Sequence, residues 1–441
     1  MKLAAFFRPK SKVPSGAAQA VISRLGAVPI LPPFTWQGKG PRAQSRLGEI
    51  LAKALEPECP DAEVFEPLRR FLASPQASDF DHLSDAAARI LVFAGVSAVR
   101  ELPRELAAQL SGEVQRHANW IQAERAAQGP RRVLQSGALV LAGLGWPELP
   151  GASRWWSAGL ADLGHSFPGG LHPDGGPREG SAALLFRQVQ LLWAVAQVCE
   201  KASVALPAGL VSSMGKASTF VRDLGTGGGL PSLGPDPYEP LLGQDTNWPL
   251  AQAQARGWAP GVETPGESKD WVMRPLRESG LVLLHAKVAG KASRVVMDLH
   301  TGQVIWHVGG QAVLVEQGLR CMDRPESWKP ELKVARVDGR AAAVLWTSTG
   351  RRGEWTRDLR AEGSRLMITD RIEGESLQVR WRFGEHLELN RREKPGQWLL
   401  EGGPKVRVTL DMEQATWVTQ AGPELHGVLG PGVRHRSRFE V

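Results

Sequence analysis

The sequence predicts an α+β multidomain protein, an (α/α) helical toroid followed by an antiparallel β-sandwich. Three observations carry this. Apolar residues recur at helical intervals from Leu83 to Leu224, the apolar period falls to two beyond about residue 270, and a Gly/Pro-rich stretch from Gly225 to about Ser268 separates the two regimes. At 441 residues the chain has room for two or three domains.

Residues 1–79 read as an irregular collar, with Pro-rich stretches at Pro29–Pro33 and Pro57–Pro67 around one helical piece, Ala43–Leu55. Residues 80–240 read as the toroid. Leu83, Ala86, Ile90 and Phe93, then Leu106, Leu110, Val114 and Ile121, fit two amphipathic helices. Val133–Leu144, Ala152–Leu163, Gly180–Lys201 and Pro207–Leu224 continue the theme, each bounded by Gly, Pro or Asp. Short connections stack such helices as antiparallel pairs. Residues 241–270 form the connector. In 271–441, the runs Val282–Val288, Ser293–Met297, Gln311–Glu316, Ala341–Thr347, Arg365–Thr369, Gln378–Phe383, Gln397–Glu401 and Val406–Leu410 read as short strands, with turn signals such as Val337-Asp338-Gly339 and Ile372-Glu373-Gly374. Helices first and strands second leave a groove between the two modules as the natural ligand site.

Composition excludes several classes. With 42% apolar and 22% charged residues, 49 Gly and 32 Pro, the chain is neither collagen, coiled coil nor a disordered tail. Its charge of +7 is modest and spread out, which argues against nucleic acid and is compatible with an anionic polysaccharide. No membrane span is expected, because Ala182–Val198 and Val133–Leu144 are interrupted by Arg187, Gln188, Gln190 and Gln135. The apolar run at the start, Leu3–Phe7, is shorter than a signal core, and Cys59, Cys199 and Cys321 lie far apart without CxxC spacing. A reduced cytoplasmic location is the expectation, with neither disulfide framework nor zinc knuckle.

Three blocks, in order, carry a family resemblance: Ala138-Leu139-Val140-Leu141-Ala142-Gly143-Leu144; Asp174-Gly175-Gly176-Pro177-Arg178-Glu179-Gly180-Ser181; and Leu366-Met367-Ile368-Thr369-Asp370-Arg371-Ile372-Glu373-Gly374. Over roughly residues 80–441 the chain resembles the heparinase II/III type of polysaccharide lyase, relatives of which act on heparan sulfate and alginate. The middle block looks like the family's DGG-x-x-E-x-S signature. The resemblance implies β-elimination on a uronic acid: a base takes the C5 proton, donors stabilise the carboxylate and an acid protonates the leaving oxygen.

Carried over by position, the family's Asn-His pair falls on Pro130-Arg131, its Tyr-His pair on Leu184-Leu185, and its sandwich His-Ala-Asp on His300-Thr301-Gly302. The pattern is therefore degenerate. The candidate proton-transfer residues are His300, His172, His165 and the single tyrosine, Tyr238; the candidate substrate contacts are Arg131, Asp174, Glu179, Trp155 and Trp156. Each has a plainer reading beside it. Glu179 suits the start of a helix, Arg131 a solvated first turn, and His165 and His172 a solvated loop. Most of the sixteen Trp belong to a core, although Trp120, Trp155, Trp156, Trp248 and Trp258 fall near the groove, where indoles stack on sugar rings. His300 and His307 are seven residues apart and reach one metal only across a turn, so no cofactor is expected and a zinc site in the sandwich is not favoured. Two functions of different class follow: a lyase with a rearranged catalytic set, and a non-catalytic relative whose groove binds an acidic polysaccharide or a partner protein.

Overall fold

The computed structural model describes residues 50–441 apart from short stretches, the longest being 74–82, 231–240, 260–269 and 317–328. The stretch Pro29–Pro33 and most of the helical piece Ala43–Leu55 lie outside the described residues. The first long element is α1, Asp61–Ala73, followed by α2 (Leu83–Val99), α3 (Arg104–Glu124), α4 (Pro130–Gly145), α5 (Ala152–Gly169), α6 (Ala182–Lys201) and α7 (Ala208–Leu224). Alternate helices touch as well as neighbours: α2 meets α4, α4 meets α6, α3 meets α5 and α5 meets α7. This is the two-layer packing of an (α/α) toroid.

Burial separates the layers. Every residue of α4 from Val133 to Gly145 is buried, and α6 is buried over almost its whole length. Helix α6 is long and apolar enough to cross a membrane by length and composition, but its neighbours enclose it, which is the environment an all-round apolar helix requires in a core. Helices α3 and α5 keep one buried stripe, such as Leu106, Leu110, Val114 and Ile121. The α4–α5 pair is close because glycine lets it be: a Cβ on Gly159 would stand 2.6 Å from the carbonyl oxygen of Ser136.

The connector holds two short paired strands, β1 (Gly229–Leu230) and β2 (Leu241–Leu242), and α8 (Trp248–Ala255), which the Gly/Pro-rich composition had concealed. Helix α8 starts with Pro249 in its first turn, where the missing N–H costs nothing. The strands that follow are β3 (Val272–Leu276), β4 (Leu281–Val288), β5 (Lys291–Asp298), β6 (Val304–Val308), β7 (Gln311–Glu316), β8 (Lys329–Asp338), β9 (Ala341–Gly350), β10 (Gly353–Glu362), β11 (Arg365–Gly374), β12 (Leu377–Phe383), β13 (Glu388–Arg391), β14 (Gln397–Glu401), β15 (Val406–Leu410), β16 (Ala415–Gln420), β17 (Glu424–Leu429) and β18 (Arg434–Glu440). They form two antiparallel eight-stranded sheets, ordered β16-β17-β12-β7-β6-β5-β4-β3 and β13-β14-β15-β18-β11-β10-β9-β8. All eight runs read as strands from the sequence are strands. Those missed include β8, β10 and β18, none of which shows a clean apolar alternation: the described residues of β8 include no buried one, β10 buries Arg357 among its apolar positions, and β18 buries His435 and Ser437 beside Phe439.

Between the sheets lie Trp306, Trp346, Trp355, Trp381 and Phe439. A buried Arg357 forks onto Asp370, with Nε to Oδ1 at 2.7 Å and Nη2 to Oδ2 at 2.9 Å, and stacks over Trp355. The β3-to-β7 side of the sandwich packs on the toroid. Leu276, Leu281, Leu283, Val296 and Ile305 join the toroid core, whereas Val282, Leu284, Val295, Met297 and Trp306 face the other sheet. Strand β4 is covered on both faces, which explains why Leu281–Leu284 is an unbroken apolar run.

Candidate functional site

The loop between α5 and α6 carries the Asp174-Gly175-Gly176 block and is closed on itself. Leu171 and Pro177 bridge, the His172 N–H donates to Gly176 O (2.8 Å), Gly175 N–H donates to His172 O (2.9 Å), and Arg178 donates from its backbone N–H to Gly170 O and from Nε to Leu171 O. Gly175 has φ +93°, and a Cβ there would press on Lys216 O of α7. The tight approach lets Asp174 reach the sandwich. Its Oδ2 accepts the Ser279 backbone N–H (2.9 Å), and Oδ1 accepts both the Ser279 hydroxyl and the Gly176 N–H. Ser279 lies in the β3–β4 turn, and a Cβ on Gly176 would land on its hydroxyl.

One residue further, Gly280 has φ +66°, and a Cβ there would overlap the His300 ring. His300 is exposed on the β5–β6 turn, which is held from several sides. Its own N–H donates to Asp298 Oδ1 (2.8 Å), Leu299 N–H donates to Gly280 O (2.7 Å), Trp346 Nε1 donates to Leu299 O (2.6 Å) and Arg357 Nη1 donates to Gly302 O (2.6 Å). The second sheet therefore fixes the backbone beneath an exposed imidazole.

The structure thus brings Asp174 and His300 to opposite sides of the Ser279–Gly280 turn, with His172 in the same loop as Asp174. Glu179 and Arg131 fall near a second point. Glu179 Oε2 lies 3.3 Å from where a Cβ on Gly129 would stand, and Gly129 is the residue just before α4, whose exposed Arg131 follows. The helix Glu179 was expected to open begins at Ala182, and its carboxylate lies instead beside the N-terminal end of α4. Arg132, next to Arg131, pairs with Asp162 at 2.8 Å.

The other candidates separate from these. His165 is exposed on α5, inside a helix where the plainer reading put a loop. Trp155, offered as a sugar contact, is 1% exposed and its Nε1 donates to Asn119 Oδ1, which makes it a core residue. Trp156, Trp120 and Trp258 are partly buried against the toroid core. Tyr238 and the Trp248 side chain lie outside the described residues. Leu184 and Leu185 are buried in α6, so apolar packing occupies the positions aligned with the family's Tyr-His pair. Ser279 and Gly280, and Arg222, Asp223, Arg274, His285 and Arg294 further along the seam, were not legible from sequence. The one available signal was His285 interrupting the apolar run Leu281–Ala286.

Residues 83–227 match the family model described as heparinase II/III N-terminus. Among the solved structures that share the fold, three match over nearly the whole chain as follows. They are heparinase III (TM-score 0.64, 10% identity, 99% of this chain and 86% of that one), a heparan sulfate lyase HepC mutant from Pedobacter heparinus (TM-score 0.58, 12% identity, 99% and 85%), and chondroitinase AC lyase (TM-score 0.51, 10% identity, 96% and 83%). No curated protein matches the chain by sequence. At these identities the likeness is one of fold.

Proposed function

We propose that the chain, whose residues 83–227 match the heparinase II/III N-terminus family model and whose fold is like that of heparinase III, holds an acidic, uronic-acid polysaccharide in the groove between toroid and sandwich. The observation that carries the reading is the Asp174–Ser279 clasp, which sets the signature loop of the toroid beside the exposed His300 of the sandwich. Burial of Leu184 and Leu185 favours binding without the family's own proton-transfer pair. Binding of a panel of acidic glycans, measured calorimetrically at two salt concentrations, tests it. Acidic glycans should bind and weaken as salt rises, while neutral ones should not bind. Equal binding of neutral glycans refutes the reading.

A second reading, β-elimination, rests on the clamped backbone under His300. An imidazole whose supporting turn is fixed by four hydrogen bonds is pre-organised to take a proton. The test is the ultraviolet absorbance of an unsaturated uronate. If elimination occurs, His300→Ala should slow it by on the order of a hundredfold, the usual contribution of a general base. Unchanged turnover in both His300→Ala and His172→Ala removes this site from the reaction.

A further inference from the structure

Residues 170–178 of the signature loop fold into a small hairpin. Its rungs are the Arg178 N–H on Gly170 O (2.9 Å), the Leu171–Pro177 bridge and the His172 N–H on Gly176 O (2.8 Å). Arg178 closes the base of this hairpin and is exposed, yet its side chain is tied down, with Nε donating across the hairpin to Leu171 O at 2.8 Å. A long exposed side chain ordinarily keeps most of its rotamers, and a ligand that orders it loses affinity to that entropy. Here the loop has done the ordering. A guanidinium has two edges that can fork onto an oxyanion, one that includes Nε and one made of Nη1 and Nη2. With Nε spent on Leu171, the Nη1–Nη2 edge is the one left.

Among the described residues no acid pairs with Arg178, whose side chain makes its one hydrogen bond to Leu171 O. The two acids of the same block are placed elsewhere. Asp174 accepts from Ser279 and Gly176, and Glu179, although next in sequence, lies beside Gly129. Arg131, the cation offered from sequence for a sugar contact, is exposed on the first turn of α4, and among the described residues no hydrogen bond fixes its side chain.

We propose that Arg178 is the residue that holds a carboxylate of the acidic saccharide, end-on through Nη1 and Nη2 in two parallel hydrogen bonds. The proposal rests on the reading of the groove as a glycan site and gives that reading its carboxylate contact. The positions aligned with the family's Asn-His pair are Pro130 and Arg131, so a uronate carboxylate needs a different donor in this chain. Arg178 lies two residues from Gly176, at most about 7 Å of backbone, and Gly176 packs on Ser279 in the clasp. The carboxylate then sits on the toroid side of the clasp and His300 on the sandwich side. Because the fork is planar and the Nε anchor is specific to arginine, lysine keeps the charge and loses the geometry.

The test uses the full chain, titrated calorimetrically with trigalacturonate and followed by nuclear magnetic resonance with isotope-labelled arginine. The Arg178 signals are those absent from Arg178→Lys. Arg178→Gln should weaken trigalacturonate about tenfold or more, matching the loss of a charged hydrogen bond. Arg178→Lys should remain at least about fivefold weaker than the parent, since charge without the fork is not enough. Arg360→Gln, on the outer face of the sandwich where Arg360 pairs with Asp358, should change nothing. In the parent chain the ligand should slow rotation about the Cζ–Nη bonds of Arg178 and resolve Nη1 from Nη2, which an arginine with a purely structural role does not show. Melting curves check that each variant is folded, and the parent-chain signals decide where one is not. If trigalacturonate binds, folded Arg178→Gln stays within about twofold of the parent and the Arg178 signals do not change, the subsite is refuted while the glycan groove stands. If trigalacturonate does not bind but acetate resolves the Nη signals, the carboxylate site stands and the glycan groove falls. If neither ligand alters the Arg178 signals, the subsite is refuted whatever the variants do.

Discussion

Asp174 of the toroid accepts two hydrogen bonds from Ser279 of the sandwich, one from its backbone N–H at 2.9 Å and one from its hydroxyl, across 105 residues of sequence. The carboxylate that opens the signature loop is therefore already engaged by protein groups. Its first role is to set one module against the other, and the glycan reading must use the surface this clasp creates.

Replacing Asp174 by Ala leaves the Ser279 donors without their acceptor. A loss of about 1–2 kcal/mol is expected for this half-buried pair. Asp174→Asn, which keeps an oxygen acceptor, should lose less. Thermal melts compare the two, and an unchanged melting temperature in Asp174→Ala would show that the clasp does not stabilise the fold.

Gly280→Ala should act locally. Its φ of +66° disfavours a side chain, and its Cβ would displace the His300 ring. We expect a cost of about 1–2 kcal/mol together with weaker function at His300. Circular dichroism should remain native, and an unshifted His300 resonance would contradict the contact.

Trp155 gives the opposite expectation to a sugar platform. Truncation to Ala should cost about 3–5 kcal/mol, as for other buried aromatics. The milder Trp155→Phe should leave glycan affinity per folded molecule unchanged. A selective loss of affinity in that variant, with stability intact, would return Trp155 to the binding surface.

Acid should weaken the fold through His285 and His117. Both are depressed in the folded protein, chiefly by burial, His285 to about 4 and His117 well below its ordinary value of 6.5. The unfolded chain then binds more protons below about pH 6.5. Stability from this source is fully present above that pH and is lost as pH falls toward 4. Denaturant melts between pH 7 and 4 should show the decline, and His285→Asn should flatten part of it.

Local pattern alone specified the helical repeat, the change of period near residue 270 and the inward apolar sets of eight strands, because burial on one face imposes a period that any single segment displays. The signature loop and His300 were also legible, through resemblance and position. The contact between them was not, since hydrogen bonds such as Asp174 to Ser279 join residues with no local relation. The same holds for Trp155, whose indole is apolar enough for either a core or a sugar face until packing chooses. It holds most of all for the seam. Arg222, Asp223, Arg274, His285 and Arg294 come from one helix and three strands, each an ordinary polar residue in its own segment. Only the docking of α7 on β3, β4 and β5 brings them together and takes them partly out of water, because desolvation is a property of what surrounds a group and not of its neighbours in sequence.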